Sequence, residues 1–257
     1  MRLFCPLASG SKGNCLFLGT DSTKVLIDAG LSVKQIKERL AEIHVKLEEI
    51  DAIIITHEHS DHIRGLDVLC KQTNIPILAN RDTAQAICDI LHIQPKFKIF
   101  STGESFSFGD IAFHPFSIQH DTVDPIALIA AIEGIKIGIC TDLGFATSLV
   151  KNHLQNCHYL YIESNHEPSM VHACSRPPMY KQRVLGRQGH LSNESCAQLL
   201  RDIYHKQLKK VYLAHLSQEC NHPEVALKKS QESLKDYLEQ ISITIAYQDK
   251  ISEPSFF

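Results

Sequence analysis

His57-Glu58-His59-Ser60-Asp61-His62 sets four candidate metal ligands within six residues, directly after the apolar run Ala52-Ile53-Ile54-Ile55-Thr56. A strand over that run delivers the cluster to a sheet edge. Alternate side chains of an extended segment share a face, so His57 and His59 can reach one ion together, while Asp61 and His62 begin the next turn and can face a second. Imidazole and carboxylate suit borderline divalent ions such as zinc, manganese or iron, and no cysteine lies nearby to suggest a structural zinc knuckle. A solvated histidine-rich loop is the plain alternative. Four candidate ligands at this spacing, behind a buried-strand signature and ahead of a helical pattern, favour metal binding.

Such ligands need a scaffold, and the apolar pattern supplies one. The turn Ser9-Gly10-Ser11-Lys12-Gly13-Asn14 reads as a hairpin connection, followed by strands near residues 15–18 and 24–28. A helix then follows with Ser32 and Gln35 at capping-box spacing and Ile36, Leu40 and Ile43 on one face. Residues 63–72 read as helical, 75–79 as a short strand, and 82–91 as a helix started by Asn80 or Asp82. The second half repeats the theme, with strands around 105–108, 111–116, 126–132 and 135–140 and a Glu133-Gly134 turn before the last. Helices are expected near 146–153 and 194–205, buried strands at 159–163 and 211–214, an amphipathic helix over 223–239 and a closing strand over 241–245. The fold class is α/β, in αββα order.

The HxHxDH pattern resembles the signature of the metallo-β-lactamase fold superfamily, which implies an αββα sandwich with the active site at one edge of the β-sandwich. Later segments resemble that family in order. Val25-Leu26-Ile27-Asp28 matches a strand ending in an acid that holds ligand histidines, His120 lies where a third histidine of site one is expected, Asp142 matches a carboxylate bridging both metals, and His215 matches the last ligand. Taken singly, a His or Asp at a strand end usually caps a turn or faces water. The resemblance assigns His57, His59, His120 and Asp142 to one ion and Asp61, His62, His215 and the same Asp142 to another. Two divalent ions (zinc, manganese or iron) about 3.5–4 Å apart share a hydroxide near neutral pH, so the implied reaction is hydrolysis, with Asp61 placed to orient that hydroxide or take its proton.

The 257 residues suffice for a full core, and ligands spread from Asp28 to His215 favour one domain over residues 1–257. With 44% hydrophobic and 21% charged residues the chain has an ordinary soluble composition, and no apolar run approaches the ~20 residues of a membrane span. The N-terminal segment runs into the 9–14 turn and not into the apolar core of a secretory signal, so a cytoplasmic location is expected. Nine cysteines without a CxxC pair read as reduced thiols. A net charge of −3 offers no bulk attraction to a polyanion. Locally, residues 175–190 carry Arg176, Lys181, Arg183 and Arg187 with no acid, and Pro177-Pro178 with Gly186 and Gly189 suggest an irregular basic loop. That loop is either merely solvated or a phosphate track.

Hydrolysis at two metals serves phosphodiesters, thioesters and lactones alike, so other residues must choose the substrate. Glu163-Ser164-Asn165-His166 and Gly189-His190-Leu191-Ser192-Asn193 add two histidines at a strand end and a helix start. Ser192 and the amides beside it could meet an anion, or Ser192 or Asn193 could simply cap the helix. With the 9–14 turn, these segments resemble the WalJ/YycJ-like branch of the superfamily, which implies a DNA exonuclease. On that reading His190 is catalytic beside Asp61, and His166, Arg183, Arg187, His190 and Ser192 are substrate-phosphate residues. The nucleic-acid partner is expected to be DNA. A small-molecule thioester or lactone hydrolase is the alternative, and the complete ligand set disfavours a metal-bearing module without activity.

Overall fold

Apolar runs bounded by Gly, Asn, Asp and Ser become strands, and runs with three- and four-residue spacing become helices, in a computed structural model that describes residues 2–257. In chain order the strands are β1 (Leu3–Ala8), β2 (Cys15–Gly19), β3 (Lys24–Ile27), β4 (Ala52–Ile54), β5 (Ile77–Ala79), β6 (Phe97–Ile99) and β7 (Phe106–Phe108). They continue as β8 (Ile111–Ser117), β9 (Ile126–Ile132), β10 (Ile135–Cys140), β11 (Tyr159–Glu163), β12 (Lys210–Ala214), β13 (Ser242–Ile245) and β14 (Ser255–Phe256). The helices are α1 (Val33–Glu42), α2 (Ser60–Ile63), α3 (Leu66–Gln72), α4 (Arg81–Leu91), α5 (Ser148–Leu154), α6 (Pro168–Ala173), α7 (Pro178–Leu185), α8 (Asn193–Ile203) and α9 (Pro223–Ser233). Among the described residues no helix is long and apolar enough to cross a membrane.

Two seven-stranded sheets form, in the orders β14-β1-β2-β3-β4-β5-β6 and β13-β12-β11-β10-β9-β8-β7. Both are mixed. β1, β2 and β3 pair antiparallel and β3 to β6 parallel, and likewise β9 pairs antiparallel with β10 while β10 to β13 run parallel. Parallel neighbours require crossovers, which the helices between them provide. The chain divides into two compact units, one running to Pro115 and adding Thr122–Ile126 and Ala246–Phe257, the other comprising Phe116–Asp121 and Ala127–Ile245.

In the first unit Leu3, Cys5, Leu7, Phe17, Leu26 and Ile53 from the strands form a buried core with Ile36 and Leu40 of α1, Leu66 and Leu69 of α3 and Ile87 of α4. Ser32 and Gln35 form the capping box of α1, and the Asn80 side chain caps α4. The expected helix over 63–72 is broken. Gly65 separates α2 from α3, because its amide donates to Ala29 O at 2.8 Å and a Cβ there would sit 2.4 Å from Leu31 O.

In the second unit α8 packs on α9 and on α5. The irregular loop expected over 175–190 is in part helical. Pro177 and Pro178 stand at the N-cap and first turn of α7, where a missing N–H costs nothing, so the pair starts a helix and does not break one. The amphipathic helix expected to reach residue 239 ends at Ser233, followed by a 3-10 turn over Lys235–Tyr237. β6, β14 and α6 carried too few apolar residues to stand out.

Gly65→Ala weighs two effects. Helix propensity gives Ala at most about 1 kcal/mol, and overpacking against backbone costs about 1–3 kcal/mol. Net destabilisation is expected, read as a lower urea midpoint at unchanged slope.

Candidate metal centre

Within the first unit the chain leaves β4 through Ile55, Thr56 and His57, and His59 serves as N-cap of α2, whose first turn carries Asp61 and His62. His57 and His62 are buried, with ring centroids 3.9 Å apart, and His59 lies edge-on to His57 at 5.0 Å. Asp28 follows β3 in the left-handed region at φ 63°. Its Oδ2 lies 2.7 Å from His62 Nδ1, and its Oδ1 accepts the Thr56 amide at 2.8 Å. A carboxylate can only accept here, so the proton sits on His62 Nδ1 and Nε2 keeps its lone pair. Asn14 Nδ2 stands 2.9 Å from that Nε2 and 3.1 Å from Asp61 Oδ2. Glu58, between the histidines, points away and accepts the Val123 amide at 2.9 Å.

Within the second unit three adjacent parallel strands end together. Cys140 pairs with Ile162, and Glu163 with Ala214, so Asp142, Glu163 and His215 emerge side by side at one edge. Asp142 and His215 both adopt left-handed backbone, at φ 55° and 53°. Such conformations cost energy in non-glycine residues and persist where surrounding structure fixes them. His215 Nδ1 lies 3.1 Å from Asp142 Oδ1 and 3.0 Å from Glu163 Oε1, which also meets His190 Nδ1 at 2.8 Å. His120 Nε2 is 3.7 Å from Asp142 Oδ1, while its Nδ1 donates to Gly189 O at 3.1 Å.

Glu163 was not singled out as a site residue from the sequence, yet it is the hub of this cluster. It is fully buried and also accepts the amides of Leu143 at 2.7 Å and Leu191 at 3.0 Å. Burial alone would raise its pKa, but the electrostatic interaction and hydrogen bond with His190 and the hydrogen bond of His215 hold it down to about 2. The signal that exposes it is an acid closing a buried strand of large hydrophobic residues, Tyr159-Leu160-Tyr161-Ile162. A second group missed in sequence is a buried amide network. Ser164 Oγ donates to Asn193 Oδ1 at 2.8 Å, the Asn193 and Asn221 amides pair reciprocally at 2.9 and 3.0 Å, and Asn165 Nδ2 donates to His215 O at 2.6 Å. The loops bearing His166, His190 and His215 are thereby tied together.

His166 is buried, forms an isolated bridge to Ser192, and has an Nδ1 with no hydrogen-bond partner. Burial drives its pKa down to about 4, against the pull of Glu163 and with the push of His190, so it is neutral at physiological pH. Ser192 does what the plain reading held: its hydroxyl caps α8 by accepting the Ser195 amide at 3.1 Å. The basic segment is less free than its sequence suggests. Arg183 pairs with Asp121, Arg176 with Glu219, and the Arg187 guanidinium lies 4.2 Å over the Phe145 ring. An open groove of about 510 Å³ runs here, lined by Gln119, Asp121, Gln182, Arg183, Arg187 and Gln188.

The donor chemistry fits divalent metal. Imidazole and carboxylate donors of Asp142, Glu163, His190 and His215 all fall within 4.8 Å of one another, without a thiolate among them. His62 and His120 each have one ring nitrogen held by a fixed acceptor, which orients the other as a ligand.

A family model described as beta-lactamase superfamily domain matches residues 23–216. The chain is 36% identical over 236 residues to the exodeoxyribonuclease YycJ of Bacillus anthracis, covering 91% of this chain and 89% of that protein. It is 39% identical over 224 residues to the exodeoxyribonuclease WalJ of Streptococcus pneumoniae D39, covering 86% and 83%. Among solved structures, the metallo-beta-lactamase fold protein YhfI from Bacillus subtilis matches with a TM-score of 0.74 over 98% of this chain and 99% of that one, at 14% identity. That likeness shows the fold, the αββα class expected from the element order.

The neutral burial of His166 makes stability depend on pH. Its folded pKa of about 4 lies below the ordinary 6.5, so the unfolded chain binds the extra proton and metal-free protein loses stability as pH falls from 6.5 to 4. The loss amounts to about 3 kcal/mol at most. Urea denaturation of His166→Gln should fall less steeply over that window than wild type; equal slopes would show that folded His166 takes up the proton.

Proposed function

Because the chain belongs to the beta-lactamase superfamily, we propose that it is a metal-dependent hydrolase acting as an exonuclease on DNA, with His57, His59 and His120 serving one divalent ion, Asp61, His62 and His215 a second, and Asp142 both. The observation that carries this reading is near full-length likeness to two proteins named exodeoxyribonucleases, joined to imidazole donors already oriented by buried acceptors. Zinc, manganese and iron all suit this donor set. When bound, the ions supply Lewis acidity and lower the pKa of water toward neutrality.

The remaining work falls to this chain's side chains. Asp61 is partly open and held at Oδ2 by the Asn14 amide, so it is placed to orient the attacking water and accept its proton. His190, held at Nδ1 by Glu163, is placed to contact a phosphate oxygen of the substrate through its other ring edge. Neutral His166 lines the same loop cluster. Arg183 and Arg187 supply the phosphate track. The exposed Arg183–Asp121 pair contributes only about 0.2–1 kcal/mol, so exchanging Asp121 for a phosphodiester costs little. A cytoplasmic location fits nine free thiols, of which burial pushes those of Cys157 and Cys196 up to about 12 and so keeps them unreactive.

Metal-loaded protein should degrade end-labelled DNA and carry two metals per chain by elemental analysis. Asp61→Ala should lose about 10²–10⁴-fold in kcat while remaining folded. Arg183→Ala/Arg187→Ala should weaken binding and flatten the log affinity against log salt slope by ~0.7–0.9 for each lost contact. Turnover of RNA alone, or of a thioester panel without any nucleic acid, would overturn the DNA reading.

A further inference from the structure

The turn Ser9-Gly10-Ser11-Lys12-Gly13-Asn14 enters the site only through the Asn14 amide, and it is among the most constrained segments of the first unit. Gly10 and Gly13 lie at φ 139° and 147°, and a Cβ on Gly13 would sit 2.6 Å from Gly30 O. Gly30 is tighter still, since its Cβ would fall 1.6 Å from Asp61 O. Asn14 donates its backbone amide to Asp61 O at 2.7 Å and accepts the Gly30 amide at 2.9 Å. Gln248 holds the other side of the turn, accepting from the Lys12 amide at 2.8 Å and donating to Gly13 O at 3.0 Å, while Arg64 donates to Lys12 O at 2.9 Å. Gly13 packed on the Gly30 carbonyl, and Gly30 on the Asp61 carbonyl, hold this turn against the loop that carries Asp61 and His62.

The product of that packing is a buried amide with no freedom to flip. Asn14 Oδ1 accepts the Gly10 amide at 2.8 Å, which leaves Nδ2 to face Asp61 Oδ2 and His62 Nε2. Reversed, an amide oxygen would face a carboxylate and an imidazole lone pair, both of which repel it. We propose that Asn14 is a positioning residue for the second divalent ion: its amide fixes the Asp61 carboxylate through Oδ2 and meets the His62 lone pair until a cation takes it. The turn at the start of the chain thus sets the geometry of ligands that lie 47 and 48 positions further on. This rests on the dinuclear reading given above.

Cobalt(II) titrated into metal-free full-length protein reads each site by its visible spectrum. Wild type should take two equivalents. Asn14→Ala should keep the first unchanged and bind the second about 10–100-fold more weakly, with a shifted band, at an unaltered far-ultraviolet circular dichroism spectrum. Asn14→Asp keeps the oxygen that Gly10 binds and lacks the donor, so a shifted second band is expected there even if the Ala variant does not fold. A wild type that takes only one equivalent overturns the dinuclear reading and this inference with it. If wild type takes two, a native second equivalent in either folded variant overturns the role of Asn14 alone, as does loss of both equivalents together.

Discussion

A carboxylate buried behind an imidazole is the interaction on which the candidate metal residues depend in each unit. Removing a carboxylate from water costs several kcal/mol unless charge and hydrogen bonds compensate, so Asp28 and Glu163 are stable only where they have partners. Asp28 answers with His62 and the Thr56 amide, and Glu163 with His190, His215 and two backbone amides. The same bonds that satisfy the acids fix the tautomer of His62 and the orientation of the other rings. A buried acid is therefore both the structural liability and the device that makes a neutral ligand.

Backbone geometry at the strand ends serves the same purpose. Asp28, Asp142 and His215 each turn left-handed one residue or two beyond a strand, at φ 63°, 55° and 53°. A strand continued in extended form would carry the next side chain on to one face or the other of the sheet. The left-handed step instead swings it across the sheet edge, where neighbouring parallel strands deliver Glu163 and its partners. The cost of each strained residue is offset by hydrogen bonds that over-determine it.

Around this base the basic segment is held less tightly. Arg176 and Arg183 are exposed and paired with Glu219 and Asp121, and Arg187 rests on Phe145. Exposed pairs are weak and screened by salt. They order the basic segment at little energetic gain, so breaking them costs little. The buried amides of Asn165, Asn193 and Asn221 belong to the other regime, where an unmade hydrogen bond is expensive and the loops are correspondingly fixed.

The sequence by itself was enough for the element order, most strand positions and the ligand candidates, because these rest on local properties. Apolar period marks strands and helices, Ser32 and Asn80 cap by short-range hydrogen bonds, and the HxHxDH cluster lies within one turn. Resemblance to a known family added His120, Asp142 and His215. Tertiary structure alone decided that Glu163 is a hub, since a carboxylate after Tyr159-Leu160-Tyr161-Ile162 gains that role only through His190, His215, Leu143 and Leu191, each remote in sequence. It also decided that Gly65 breaks a helix, through contact with Leu31 and Ala29, and that Arg183 is paired, through Asp121. Asn14 shows the division most plainly: its turn was legible from glycine spacing, but what its amide holds depends on long-range packing that no local pattern encodes.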